Sequence, residues 1–190
     1  MNNSSRQIAT VSLFAALIAV FGLIPKIDLP LGVPITLQTL GVMLAGALLR
    51  PRQAFLAVAL LLAAVALGLP LLSGGRGGPA VFFAPSAGYL IGWPLGAWVT
   101  ALVMQALPTA APRRAAVSAF FAAVAGGLLV VHACGVVGLM LIAQLPAAKA
   151  LLGTLLFVPG DLIKAVVTAG VVHTVARGLP DWQLGGGNAR

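Results

Sequence analysis

The sequence predicts an all-α integral membrane protein with about six transmembrane helices in one bundle. Of its 190 residues, 61% are hydrophobic and only 7% are charged, and the mean hydropathy is +1.10. A water-soluble domain of this size needs a larger polar surface. Apolar segments recur along the whole chain, which excludes a lone signal peptide in front of a soluble domain.

Six apolar stretches, separated by proline, glycine or charged residues, are candidate membrane spans. In chain order they cover residues 8–24, 35–49, 53–69, 86–107, 115–143 and 151–177. The second is short for a span, and the fifth is long enough to tilt or break. We expect a single transmembrane domain over residues 1–180, followed by a flexible cytoplasmic tail over residues 181–190.

Basic residues between the spans predict which side of the membrane each connection faces. Under alternating threading, three basic residues fall on one side, namely Lys26, Arg76 and Lys149. Seven arginines fall on the other: Arg6, Arg50, Arg52, Arg113, Arg114, Arg177 and Arg190. The positive-inside rule then places both termini in the cytoplasm. The net charge of +8 is therefore interpreted as a topology signal, and no nucleic-acid partner is expected.

The connections on the exported side are rich in glycine and proline. Residues 25–34 read PKIDLPLGVP and residues 69–85 read LPLLSGGRGGPAVFFAP. The second loop combines glycine-rich backbone with apolar side chains to bury, so it can fold over the mouth of a helix bundle as a lid. A flexible, exposed connector is the alternative, because glycine clusters mark mobility as readily as close backbone approach.

The stretch FVPGDLIK, residues 157–164, places two charges inside a predicted span. Each central charge costs on the order of 2.5 to 3.5 kcal/mol on insertion scales. Asp161 and Lys164 lie on one helix face, and Pro159 and Gly160 predict a helix break just before them. A carboxylate accepts hydrogen bonds and an ammonium donates them, so the pair suits a small polar, amide-like or zwitterionic solute. An ion pair that only fixes helix packing is the alternative.

The other polar residues form no pattern for catalysis or metal binding. The chain has no glutamate, and His132 and His173 lie far apart in apolar surroundings, where neutral packed imidazoles are expected. No Walker A or HExxH motif occurs, so we expect no metal, no cofactor and no ATP hydrolysis by this chain. Cys134 is expected to be a small buried thiol. A membrane enzyme or a membrane scaffold is the alternative outside transport.

Small residues in the first span offer a helix-packing surface. Ala15 and Ala19 are four positions apart, and this spacing lets a second helix approach closely in a membrane. Alanine is common in this chain, so a chance pair is the equal alternative.

Several motifs, taken in order, resemble those of the BioY family, which supplies the biotin-binding S components of energy-coupling factor (ECF) vitamin transporters. They are ALIA at 16–19, VPITLQTLGVMLAG at 33–46, GLPLLSGGRGG at 68–78, PSAGYLIG at 85–92 and VPGDLIKA at 158–165. The chain departs from the family where PSAGY replaces PTGGY and where His132 replaces an aromatic residue before Gly135.

The resemblance implies a six-helix, multi-pass bundle in the cytoplasmic membrane that binds biotin near the extracellular side, beneath the exported loops. It also implies an ECF transmembrane coupling protein and ABC ATPases as partners, with Ala15 and Ala19 contacting the coupling subunit. ATP hydrolysis would then occur in those separate subunits. The runner-up within transport is an S component for another small vitamin, and a homo-oligomer is compatible with the sequence.

The family places ligand contacts at the PGDLxK motif, which here supplies Asp161 and Lys164. Biotin carries a neutral ureido ring with two N–H donors and one carbonyl acceptor, so Asp161 suits an N–H and Lys164 suits the carbonyl. Tyr89 or Trp93 would pack on the ring system.

The remaining expected contacts lie in the exported loop of residues 69–85, which we call the glycine loop, and in the second span. Arg76, flanked by Gly75 and Gly77, meets the biotin carboxylate or is a solvated loop charge. Gln38 offers its amide to the ligand or joins two helices.

Overall fold

The computed structural model describes residues 3–28 and 32–186, and this part of the chain contains helices and loops but no β-strand. Its α-helices are α1 (Asn3–Gly22), α2 (Gln38–Leu48), α3 (Pro51–Ala66), α4 (Ala87–Ala106), α5 (Pro112–Ala122), α6 (Val131–Leu141), α7 (Ala147–Leu155) and α8 (Val158–Gly178). A π-helical segment, Ala123–Val130, joins α5 to α6. Short 3-10 helices cover Pro79–Phe83 and Leu184–Gly186.

Four helical segments among the described residues are long and apolar enough to cross a membrane: Ser5–Gly22, Ala87–Ala106, Pro112–Leu141 and Val158–Gly178. The helices α2 and α3 have only 11 and 16 residues, against the roughly 20 that a full crossing needs. Every residue of α2 except Thr39 is buried inside the bundle. The all-α class is confirmed.

Of the last two predicted spans, the structure divides the sixth and keeps the fifth continuous. The stretch 151–177 is divided, because α7 ends at Leu155 and α8 begins at Val158. Proline in the first turn of α8 cannot donate a backbone hydrogen bond to a preceding helix. The predicted break before Asp161 is therefore confirmed. The predicted fifth span, by contrast, is one helical segment of 30 residues from Pro112 to Leu141.

Glycines let α4 approach α6 and the π-helical segment closely. A Cβ added at Gly138 would lie 2.6 Å from the Cα atom of Gly88, and one added at Gly96 would lie 2.8 Å from the carbonyl oxygen of Gly126. Such small-residue contacts are typical of membrane helices, where apolar side chains have no hydrophobic drive to associate. On the same face, Cys134 is half-buried and lies beside Gly92.

The predicted tail begins as packed structure. The Trp182 indole Nε1 donates to the Leu48 carbonyl oxygen at 2.9 Å, and Leu184 is buried against the bundle. Residues 187–190, including Arg190, lie outside the described residues, as do residues 1–2 and residues 29–31 of the first exported loop.

Candidate functional site

One end of the bundle holds a cavity where the two loops that were predicted to be exported, residues 25–34 and 69–85, meet the starts of α2, α4 and α8. Among the residues that the structure describes, it brings together six of the eight predicted ligand contacts: Gln38, Arg76, Tyr89, Trp93, Asp161 and Lys164. The lining contains neither Gly75 nor Gly77. We call this the Asp161 cavity.

Asp161, only 3% exposed, is held by three side chains from three helices. Its Oδ1 accepts from Lys164 Nζ at 2.8 Å and from Thr39 Oγ1 at 3.2 Å. Its Oδ2 lies 2.8 Å from His132 Nε2. Lys164 Nζ also donates to Thr39 Oγ1 at 2.8 Å. The predicted pairing of Asp161 with Lys164 is confirmed, and it belongs to a larger network.

The pair retains hydrogen-bonding capacity after these contacts. A carboxylate offers about four acceptor positions and an ammonium offers three hydrogens. Three donors surround Asp161, and two acceptors surround the Lys164 ammonium. About one acceptor position and one donor hydrogen therefore remain on two residues that both line the cavity.

His132 was expected from the sequence to be a packed imidazole in apolar surroundings. It lines the Asp161 cavity, with Nε2 on the carboxylate. Within the described residues no fully buried side-chain nitrogen or oxygen lacks a hydrogen-bond partner, and the hydrogen bond of the ring is made by Nε2, so Nδ1 is not fully buried. When Nε2 carries the hydrogen toward Asp161, Nδ1 is an acceptor.

Aromatic rings form the apolar part of the wall. The Tyr89 ring centroid lies 5.6 Å from that of Phe157 and 6.2 Å from that of His132. The Tyr89 hydroxyl is 2.7 Å from Thr154 Oγ1, and Trp93 is buried beside it in the lining. Tyr89 and Trp93, the two aromatic residues predicted from α4, line the cavity, whereas Phe157 and Thr154 were not expected from the sequence.

Gln38 uses its whole amide on protein groups. Nε2 donates to the Ile18 carbonyl at 3.2 Å and to the Leu71 carbonyl at 3.1 Å. Oε1 accepts from the Ser73 backbone N–H at 3.0 Å and faces the Ser73 hydroxyl at 3.3 Å. Of the two alternatives, the structure favours the one in which Gln38 joins elements of the protein, here α1, α2 and the glycine loop.

The glycine loop is packed and ordered by hydrogen bonds. Leu72 and Arg76 exchange backbone hydrogen bonds of 3.0 and 3.1 Å, and Leu72, Ser73 and Val81 are buried. Burial of the VFF segment was expected, and this is wrong for Phe83, which is 79% exposed. The loop is therefore not the flexible, exposed connector that was the alternative prediction.

The glycines that flank Arg76 shape the turn. Gly75 has φ of +68°, a backbone conformation that glycine adopts readily, and Gly77 packs against the Leu69 carbonyl. Arg76 Nε donates to the Ser73 carbonyl at 3.3 Å, and Nη1 donates to Ser86 Oγ at 3.5 Å. The guanidinium is thus held at the cavity and is not a freely solvated charge.

The first exported loop touches the second. Ile27 and Ile35 exchange backbone hydrogen bonds of 3.1 and 2.8 Å, which close the loop's base. Lys26 pairs with Asp28, and the Lys26 Cε atom lies 2.6 Å from where a Cβ on Gly74 would be. The described residues of the two loops are therefore in contact, and both loops contribute to the lining of the Asp161 cavity.

The two alanines expected at a partner interface differ in accessibility. Ala15 is buried within the chain, and Ala19 is half-buried against the core. On the same helix, Ser12 and Ala16 are exposed. A second protein that contacts α1 would therefore meet Ser12 and Ala16 before Ala15.

A bundle of membrane-type helices that encloses a buried, charged and aromatic-walled cavity at one end defines a membrane-embedded binding protein for a small polar solute. The chain belongs to the BioY family, whose model matches residues 1–181. The resemblance stated from the motifs is thereby confirmed.

Named relatives and a solved structure agree over almost the whole chain. The chain is 46% identical over 180 residues to the biotin transporter BioY of Rhizobium etli, covering 93% of this chain and 96% of the relative. It is 44% identical over 195 residues to that of Rhodobacter capsulatus, covering 96% and 99%. It superposes with a TM-score of 0.80 and 30% identity on the crystal structure of the S-component for biotin from an ECF-type ABC transporter, covering 93% of this chain and 95% of that one.

Proposed function

We propose that this chain binds biotin with high affinity and takes it up across the cytoplasmic membrane as the S component of an ECF-type ABC transporter. The observation that carries the proposal is the buried Asp161–Lys164 pair, which keeps one acceptor and one donor position on two residues that line the same cavity. Similar proteins along nearly the full length are named biotin transporters, and the structural neighbour is a biotin S-component.

The three polar groups of the site match the three polar groups of a ureido ring. Lys164 donates its remaining hydrogen to the ureido carbonyl, and Asp161 accepts one ureido N–H. Nδ1 of His132, with the ring hydrogen on Nε2 toward Asp161, accepts the second N–H. Thr39 stays on the protein side, because its hydroxyl already bridges Lys164 and Asp161.

The rest of the ligand needs an apolar wall for its hydrocarbon part and a positively charged partner for its carboxylate. Tyr89, Trp93 and Phe157 line the cavity and suit the thiophane ring and the aliphatic chain. Arg76 supplies a guanidinium for the biotin carboxylate, held in place by Ser73 and Ser86. Charge-assisted hydrogen bonds of this kind are among the stronger polar contacts in proteins.

Entry of the ligand requires the two loops that line the cavity to move. The Asp161 cavity measures about 40 Å³, whereas pockets for drug-sized ligands have about 300 to 1,000 Å³. The lining includes residues of both exported loops, such as Val33 and Arg76. We assign the opening motion to these loops, with the glycine loop as a lid.

The membrane arrangement that fits this role has six crossings and both termini in the cytoplasm. The crossings are α1, α2, α3, α4, the continuous α5–α6 segment and α8. At 1.5 Å per residue, the 11 residues of α2 span about 16 Å, so the exported loop before it completes that crossing. The seven predicted cytoplasmic arginines support the orientation.

Energy for uptake is assigned to partner subunits. The chain has no Walker A motif, so a P-loop for ATP hydrolysis has to come from another subunit. A transmembrane coupling protein and paired ABC ATPases supply the ATP-driven step. The accessible face of α1 around Ala16, together with the predicted Ala15 and Ala19 positions, is the surface proposed for the coupling protein.

Calorimetric titration of the purified protein with four vitamins and analogues tests the proposal. Biotin is expected to bind tightly, and desthiobiotin, which keeps the ureido ring, is expected to bind as well. Thiamine and riboflavin lack that ring and are expected to give no heat of binding. Biotin affinity no tighter than millimolar, or equal affinity for thiamine or riboflavin, would contradict the proposal.

A further inference from the structure

A larger cavity lies at the other end of the bundle, away from the proposed biotin site. It has a volume of about 330 Å³ and is lined by the start of α1, the turn between α2 and α3, and residues 181–183. The helix α2 separates the two cavities, because Gln38 at its start lines one and Leu48 at its end lines the other. Ten residue steps of α-helix correspond to about 15 Å. We call the second cavity the arginine groove.

The arginine groove carries excess positive charge. Arg6 and Arg50 both line it, against one carboxylate, Asp181. Within the described residues, no basic side chain lies within ion-pair distance of Asp181. Arg50 Nη2 donates to Gln183 Oε1 at 2.8 Å, which fixes the guanidinium and leaves its other N–H groups available. Two such guanidiniums favour an anion with several oxygens, such as a phosphate.

The two helices that begin at the groove expose apolar side chains. On α1, Ile8 is 67% exposed and Leu13 is 65% exposed, and on α3 the side chains of Phe55 and Leu56 are exposed as well. These two helices pack against each other. The half-buried Trp182, bonded to Leu48, is the kind of residue that marks a membrane–water interface. A cationic groove at the start of helices with exposed apolar side chains fits an amphiphile.

We propose that the arginine groove binds one anionic phospholipid, with its phosphate between Arg6 and Arg50 and an acyl chain along the exposed faces of α1 and α3. Basic pockets between membrane helices on the cytoplasmic side recognise lipid headgroups through this chemistry. The proposal is independent of biotin recognition, because no residue of the groove lines the Asp161 cavity.

Native mass spectrometry of the detergent-purified protein tests this assignment. Phosphatidylglycerol and phosphatidylcholine with identical acyl chains are added separately. One phosphatidylglycerol is expected to stay bound under activation that removes phosphatidylcholine. The double variant Arg6→Gln, Arg50→Gln is expected to lose at least tenfold of the retained phosphatidylglycerol. Excess inorganic phosphate is expected not to displace the lipid.

A matched control separates the groove from net charge. The double variant Arg113→Gln, Arg114→Gln removes the same charge from exposed positions at the start of α5 and is expected to retain the lipid. Biotin titration is expected to be unchanged in both variants, which shows that each is folded.

Three results would overturn the assignment. They are equal retention of both lipids, equal loss of phosphatidylglycerol from the two double variants, and displacement of the lipid by inorganic phosphate. A groove variant that keeps phosphatidylglycerol but no longer co-purifies with the coupling protein would also overturn it and assign the groove to that partner.

Discussion

Replacing His132 by phenylalanine removes a hydrogen-bond donor from Asp161 and an acceptor from the cavity, while keeping an aromatic ring. The Nε2 contact to the carboxylate is 2.8 Å long and buried. That bond is present without ligand and supports Asp161 in both states, so the affinity loss comes from the Nδ1 acceptor that is assigned to biotin. A neutral hydrogen bond contributes about 0.5 to 1.5 kcal/mol, and each 1.4 kcal/mol changes a dissociation constant tenfold, so the variant is expected to bind biotin about two- to tenfold more weakly than the wild type.

Calorimetric titration measures this change, and His132→Gln is the matched control. Glutamine offers an amide hydrogen for Asp161 and a carbonyl oxygen for the ligand, so this variant is expected to recover most of the affinity. A change below twofold in the phenylalanine variant would refute the role of His132 in ligand recognition.

A biotin analogue separates direct contact from positioning of Asp161. In this analogue an ether oxygen replaces the ureido N–H that is assigned to His132. The wild type is expected to lose affinity for it about two- to tenfold, the value of one neutral hydrogen bond. The phenylalanine variant is expected to bind biotin and the analogue equally. An equal loss in both proteins would show that His132 acts on biotin only through Asp161.

Three further substitutions test the surroundings of the site. Asp161→Asn and Lys164→Ala each remove a charged hydrogen-bond partner of the ureido ring, worth about 1.5 to 3 kcal/mol, so titration is expected to show about a 10- to 150-fold loss of biotin affinity in protein that still inserts; unchanged affinity in both would leave the pair a packing role only. Ala16→Trp is expected to abolish co-purification with the coupling protein and keep biotin binding, whereas Ala15→Trp, at a buried position, is expected to impair both; the reverse pattern would place the interface at Ala15. Gly135→Ala places a methyl group against the Tyr89 ring and is expected to lower both biotin affinity and thermal stability; wild-type affinity would mean that the Tyr89 ring does not contact the ligand.

The sequence predicted the parts of the site that depend on local chemistry. Two charges in an apolar segment are costly in a membrane, so Asp161 and Lys164 were identifiable without a structure. Pro159 in the same way indicated the break that begins α8. The π-helical segment Ala123–Val130 contains Gly126 and Gly127. A glycine pair weakens a helix locally, but it does not specify a π-helical segment rather than a kink.

The partners of Asp161 could not be found by reading along the chain. Thr39 lies 122 positions from Asp161 and His132 lies 29 positions from it, so both contacts depend on how α2 and the π-helical segment that precedes His132 pack against α8. Gly88 and Gly138 in turn let α4 and α6 approach each other closely, but glycine spacing does not specify which helix will approach. The available signal for His132 was a polar ring where the family has an aromatic residue.

Burial also changed the expected roles of two predicted residues. The Gln38 amide could hydrogen-bond a ligand. In the structure, however, its donors and its acceptor oxygen are bonded to α1 and to the glycine loop. Ala15 has the spacing of a helix-packing motif, yet its own bundle covers it. Spacing identifies a helix face, and only the packed structure determines whether that face is accessible.

A crystal structure of this protein with biotin bound tests the central claim most directly. The account predicts that the ureido ring lies in the Asp161 cavity, with its carbonyl within hydrogen-bond distance of Lys164 and its two N–H groups on Asp161 and on His132 Nδ1. The carboxylate is then expected toward Arg76. Biotin bound outside this cavity, or bound with its carboxylate on Lys164 and its ureido ring under the loops, would contradict the account.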